Sequence, residues 1–194
     1  KSNKFFLSLV MLIILFLSYL SIPNIYDKNE ISKKLDQQLL RKLNLRFNLS
    51  QNFEYKFLPR PHFIFRDSFI LKDEKEISKI EELKIFISLN NLFSYENFNV
   101  QNIILEKSNF NLDYKNYNFF IKLLDSNFKD GNLTIKNSNV FFKNKNDEVL
   151  FINQIKNSSF YFDIKNLENV FTSKNKVFNV PYKFVIKNDK LNKE

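Results

Sequence analysis

The sequence predicts a mostly β protein with some helix: an amino-terminal transmembrane helix, one amphipathic helix, then a curved antiparallel β-sheet, either an open groove or a meander. Three observations carry this prediction. An uncharged apolar run extends from Phe5 to Ile22. Apolar residues then recur at helical spacing up to Leu43. From Leu45 onward the period drops to two and stays there. The chain thus divides into a membrane anchor over 1–23 and an α+β body over 24–194.

The apolar run holds eighteen residues. At ~1.5 Å per residue it reaches ~27 Å, close to the ~30 Å hydrocarbon core of a bilayer. A signal peptide would have a shorter apolar region and a small-x-small cleavage site. Here the chain has no alanine, and Ser18 and Ser21 are three apart. An uncleaved anchor is the favoured reading, with Phe5, Phe6, Leu12, Ile14, Phe16 and Tyr19 as its membrane-contacting residues. Phe5, Phe6 and Tyr19 sit near the ends, where aromatic rings favour the interface. Lys1 and Lys4 favour a cytoplasmic amino end, which places the body on the opposite side.

Pro23 ends the span, because proline removes a helical hydrogen bond. Asp27 is placed to cap a second helix, with Glu30 at the capping-box position. Ile31, Leu35, Leu39, Leu40 and Leu43 form an apolar stripe, and Lys33, Lys34, Gln37, Gln38 and Arg41 occupy the other faces. Asn44 stops the helix, since asparagine tolerates a left-handed conformation.

Short strands follow. Leu45, Phe47 and Leu49 alternate with polar residues, and Phe53, Tyr55 and Phe57 do so after the turn at 50–52, a hairpin pattern. Pro59 and Pro61 form a structural corner. Phe63, Phe65, Phe69 and Leu71 resume the alternation, followed by a charged turn from Lys72 to Glu76. Further strands are expected at 83–89, 100–105, 110–114, 133–135 and again at 140–142 after Asn137-Ser138, 149–152, 160–164 and 182–186. A short helix is expected at 118–124 and one helical turn at 166–171. No repeat of fixed period stands out.

The chemistry is sparse. There is no cysteine, one histidine and one glycine, so thiolate sites and glycine-rich phosphate loops are excluded. His62 has no partner type for a metal site or acid–base pair and reads as a strand-edge residue. Asp73-Glu74, Glu81-Glu82 and Asp147-Glu148 read as solvated turns, and Ser158-Ser159 lacks the glycines of a nucleophile elbow. No enzyme activity, metal or cofactor is expected. The net charge is +9, but the lysines are scattered, which argues against nucleic acid. The excess of Lys, Asn, Ile and Phe, with no Ala, matches an A/T-rich coding bias.

The chain has 24 phenylalanines. Phe47, Phe53, Tyr55, Phe57, Phe63, Phe65, Ile85 and Ile87 fall on one face of the strands. That face is either a candidate apolar groove or an ordinary core. Acyl chains would gain ~25 cal/mol per Å² of apolar area removed from water.

The order of parts resembles the amino-terminal region of the AsmA family. The resemblance lies in the span, the helix ending KLNLRFNL, the strand pair NFEYKFLPRPHFIF with its Pro-x-Pro corner, and EISKIEELKIFISLNNLFSYENFNVQNIILEKSNFNL. It covers about residues 1–115; DGNLTIKNSNVFFK and FNVPYKF are similar to later strands. Glycines usual in the family fall near Asn44, Asn52 and Tyr95. The resemblance implies a single-pass inner-membrane protein with a periplasmic body. It implies outer-membrane biogenesis, with phospholipid or another acyl chain as cargo. The alternative is a scaffold such as a lipopolysaccharide-bridge subunit, LptC-like, binding an envelope protein through sheet edges.

Overall fold

The computed structural model describes residues 2–72, 75–90 and 92–189. Helix α1 (Ser2–Ser21) runs into a 3-10 turn at Ile22–Ile25 with Pro23 at its start, and α2 spans Lys28–Leu43. The Asp27 carboxylate accepts from the N–H of Asn29 at 2.9 Å and of Glu30 at 3.1 Å. Two orphan donors of the first turn are thereby satisfied. Asn44 closes α2 at φ 55°, donating its N–H to the Leu40 carbonyl. The other two family glycine positions, Asn52 and Tyr95, are not left-handed.

A single open sheet follows: β1 (Arg46–Asn48), β2 (Phe53–Lys56), β3 (His62–Lys72), β4 (Lys75–Ile87), β5 (Val100–Leu112), β6 (Leu133–Lys143), β7 (Val149–Asp163), β8 (Glu168–Val177) and β9 (Val180–Asp189). The order is β1-β3-β4-β5-β6-β7-β8-β9, with β2 also on β3. The short helix α3 (Phe119–Leu123) lies in the connection between β5 and β6.

Several expectations are corrected. β1 and β2 are not a hairpin: β2 pairs with the first half of β3 and β1 with the second half, both antiparallel. The pair β5–β6 is parallel, so the sheet is rich in antiparallel pairs rather than wholly antiparallel. The expected helical turn at 166–171 gives way to β8, which starts at Glu168. Glu81 and Glu82 lie within β4 rather than in a turn. Asp73 and Glu74 fall outside the described residues.

The strands are longer than the alternation suggests because the alternation changes parity midway. Phe65 and Ser68 of β3 are both buried, with two less buried residues between them instead of one. The same holds for Leu105 and Ser108 of β5, Ile135 and Ser138 of β6, and Ile155 and Ser158 of β7. In β4, Ile80 and Leu83 are the equivalent pair. Register aligns these positions: Ser68 faces Ile80, Ile80 faces Ser108, and Ser138 faces Ile155. A crease therefore crosses the sheet from β3 to β7. In β8 the buried Phe171, Ser173 and Asn175 alternate regularly, and the mismatch surfaces as a register shift at Ile155–Asn157. Such extra residues bend and twist a strand. Asp67, Lys107 and Asn137 supply the local turn with φ of 51°, 52° and 47°.

A short repeat underlies the crease. FRDS, LEKS, IKNS and IKNS occur at 65–68, 105–108, 135–138 and 155–158. β5 and β6 pair in parallel with equivalent positions side by side, Ile103 with Leu133 and Leu112 with Phe142.

The core lies between the sheet and its helical cover. Ile31, Leu35, Leu39 and Leu43 of α2 are buried against it. Phe119, Leu123, Leu124 and Phe128, in and after α3, complete the cover over β5–β8. Phe128 stacks on Phe160, and Phe160 on Phe171 with ring centres 4.0 Å apart. Asn169 holds the connection after α3 in place, donating to the carbonyls of Leu124 at 2.6 Å and Ser126 at 2.9 Å.

Candidate functional site: the anchor and the inner face of the sheet

Helix α1 belongs to a candidate span, Asn3–Ile25, that is long and apolar enough to cross a membrane and almost wholly unburied. Phe5, Phe6, Leu12, Ile14 and Phe16 project outward, each more than half exposed. This apolar surface is left uncovered by the described residues of the chain, on a helix of membrane-crossing length. Tyr19 behaves differently from the free interfacial ring expected. Its hydroxyl donates to the Leu89 carbonyl at 2.7 Å and accepts from the Leu92 N–H at 3.2 Å, and its ring packs on Phe93. Tyr26 donates to the Leu92 carbonyl, and Tyr55 donates to the Leu20 carbonyl at 2.8 Å. Three phenols thus fasten the end of α1 to the loop after β4 and to β2. Burial pushes the Tyr55 phenol up to about 12, with the nearby Tyr19 adding to the shift.

The structure places the eight expected groove residues in the core. Phe47, Phe53, Phe63, Phe65, Ile85 and Ile87 are buried, and Tyr55 and Phe57 pack half-buried against them. They share one cluster with α2, so along β1–β4 the inner face is covered by the chain itself rather than open. The reason is geometric. The apolar stripe of α2 is buried at Ile31, Leu35, Leu39 and Leu43, and these strands are what it rests on. Phe53 makes ring contacts with both Phe63 and Phe65.

Pro59 and Pro61 lie in the five-residue reach between β2 and β3, as a corner should. The Pro61 carbonyl accepts from the Ile87 N–H at 3.0 Å, and the Leu58–Pro59 peptide is cis. His62 is the first residue of β3 and is buried, its ring stacked on Phe86 and its Nδ1 2.7 Å from the Arg60 carbonyl. Glu82 and Glu106 flank the Lys84 ammonium at 2.7 and 2.8 Å. Among the described residues no three His, Cys, Asp or Glu side chains cluster in a way that would hold a metal.

The inner face is less covered toward the last strands. Tyr182 lies opposite Asn175, Phe184 opposite Ser173 and Ile186 opposite Phe171, so all three share the face of the buried β8 residues. Phe184 meets Phe171 edge to face at 5.2 Å and stacks with Tyr182 at 6.1 Å. Yet Tyr182 is 40 % exposed, and Phe184 and Ile186 are only half-buried. Phe142 and Phe151 form a second half-buried stack, 4.5 Å between centres, at the far ends of β6 and β7. Among the described residues β9 pairs with β8 alone. Sequence reasoning places a strand at 182–186 from the alternation of Tyr182, Phe184 and Ile186, but assigns its apolar face to no site, because alternation alone does not show which strand it lies against.

A helix apolar enough to cross a membrane, joined to an open sheet with an apolar inner face, defines a class: an amino-terminal candidate span followed by one unclosed β layer. The chain belongs to the AsmA family; the family model matches residues 3–178, most of the chain. No curated protein matches it significantly. Family membership links the chain to outer-membrane and envelope assembly.

Proposed function

We propose that this protein is a single-pass inner-membrane protein with a periplasmic body that handles phospholipid during outer-membrane biogenesis, and that it is not an enzyme. One observation carries the lipid reading. The apolar inner face continues past its helical cover to Tyr182, Phe184 and Ile186 on an unclosed edge. Apolar area left in water there favours an acyl chain by ~25 cal/mol per Å² covered. Phenylalanine offers such a chain no competing polar group.

The test is photo-crosslinking in membranes, with benzoylphenylalanine in place of Phe184 or, on the opposite face, Val185. Phospholipid adducts at 184 and few at 185 are the expected result. Equal labelling at both, or none at 184, removes the lipid reading.

A second reading has its own support. Among the described residues nothing pairs with the outer edge of β9, and Val180 and Val185 on it are exposed. Unpaired edges accept strands from other chains. An envelope-protein scaffold of this kind would give a single protein adduct from a crosslinker at Val180 and no lipid at 184.

A further inference from the structure

The crease holds two cavities with different charge. One, of about 570 Å³, lies over β3–β5 and is lined by Arg66, Lys79 and Lys107 together with Asp67, Glu81, Glu82 and Glu106. Its charges are matched: Lys79 reaches Asp67 at 3.5 Å, and Lys107 reaches Glu81 at 3.8 Å. The other, of about 970 Å³, lies over β6–β9 and carries Lys156, Lys174, Lys176 and Lys183 with no carboxylate in its lining. All four lysines are exposed. Among the described residues, none of them has an ion pair or side-chain hydrogen bond.

Register sharpens the contrast. Lys174 and Lys183 are direct cross-strand partners. Like charges in that position repel and weaken the pair. The sheet repeat shows where the balance is lost. Glu106 of β5 lies beside Lys136 of β6, and the carboxylates that line the first cavity have no counterparts in the second. Asn139 and Gln154, themselves cross-strand partners, add neutral amide donors to the second lining.

We propose that the cavity over β6–β9 is an anion site for a phosphate group. Lysines bind phosphate as point charges, and each charge-assisted hydrogen bond is stronger than a neutral one. A multiply charged oxyanion placed among the four ammonium groups offsets the Lys174–Lys183 repulsion and takes hydrogen bonds from the amides. The volume is within the range of small-molecule sites. The inference stands whether or not the inner face carries acyl chains. A free phosphate and a phospholipid headgroup share this chemistry.

The experiment uses the full chain in phosphatidylcholine nanodiscs and isothermal titration calorimetry at low ionic strength. The probes are inorganic pyrophosphate, dihexanoyl phosphatidylglycerol and, as the headgroup without net charge, dihexanoyl phosphatidylcholine. Binding of pyrophosphate alone identifies a soluble phosphate. Binding of the phosphatidylglycerol alone, or tighter than pyrophosphate, identifies a headgroup. In either case the triple variant Lys156→Gln/Lys174→Gln/Lys183→Gln weakens binding at least tenfold. The charge-matched control Lys33→Gln/Lys79→Gln/Lys107→Gln binds as the unaltered chain does. Circular dichroism verifies that both variants fold. The proposal is overturned if neither phosphate probe binds, or if the two triple variants lose affinity equally.

Discussion

The hydroxyl of Ser138 accepts the backbone N–H of Ser108 at 2.9 Å across the parallel β5–β6 pair, and donates in turn to the Lys136 carbonyl at 2.7 Å. The two serines occupy equivalent places in the repeat, each the first buried residue after the crease. The ladder is interrupted here: Glu106 pairs with Lys136 and Asn109 with Asn139, with nothing paired between. A side chain takes over what the backbone gives up. Ser138→Ala leaves the Ser108 amide buried without an acceptor, a loss of about 1–3 kcal/mol. Equilibrium denaturation of the two chains in the same nanodiscs measures it, and an alanine variant of unchanged stability contradicts the assignment.

Lys107 sits at φ 52° in mid-strand, where an L-residue with a side chain is strained. Left-handed backbone costs about 1–2 kcal/mol for such residues and nothing for glycine. Lys107→Gly is expected to be neutral or mildly stabilising, and Lys107→Val destabilising by about 1–2 kcal/mol more, because branching at Cβ worsens the same clash. Thermal unfolding of the pair checks the order; valine at least as stable as glycine rules out the left-handed crease at this position.

Gly131 is the chain's single glycine, and its importance is proximity. A Cβ built there would lie 1.6 Å from the Gln101 carbonyl oxygen and 2.5 Å from its carbon, both backbone atoms at the start of β5. Backbone cannot rotate aside, so Gly131→Ala must displace the loop into β6 and is expected to cost about 3 kcal/mol. Proteolysis within 125–132 is the most direct readout. An alanine chain as resistant as the parent would mean that the loop does not approach β5 this closely.

The Tyr55 phenol is held up to about 12 against an ordinary value of 10.0. A folded-state value above the unfolded one means the folded chain keeps the proton longer. Its contribution is complete below about pH 10 and disappears as pH rises through about 12. Stability is therefore expected to fall over that interval by more in the parent than in Tyr55→Phe, which has no such proton. Absorbance at the phenolate band locates the titration, and coincident pH profiles for the two chains refute the raised value.

Much of this architecture is legible in the amino-acid sequence. α2 was bounded by Asp27 and Asn44 because capping chemistry is local and needs no knowledge of the tertiary fold. The strands were found but cut in two. Phe65 and Ser68, like Leu105 and Ser108, change parity across the crease, and a strict period of two reads that change as an end. β8 was missed because its buried face holds Asn169, Ser173 and Asn175 alongside Phe171, a polar set that alternation ignores. The parallel β5–β6 pair was invisible for a different reason: pairing direction is set by the connection around α3, not by either strand. The amphipathic stripe of α2 is readable as a face that packs on the sheet, and it does; that it covers Phe47, Phe53 and Phe63 in particular is not, since a lipid and a helix both want the same greasy face.

The side-by-side placement of β5 and β6 makes the layer extensible. A strand set down in parallel, thirty residues on, meets a neighbour shaped like itself, and its serine finds the amide it needs. Units of that kind can be added or removed with each one answering only to the next, as in solenoids. The span of the molecule is then set by the number of copies rather than by a redesign of the whole.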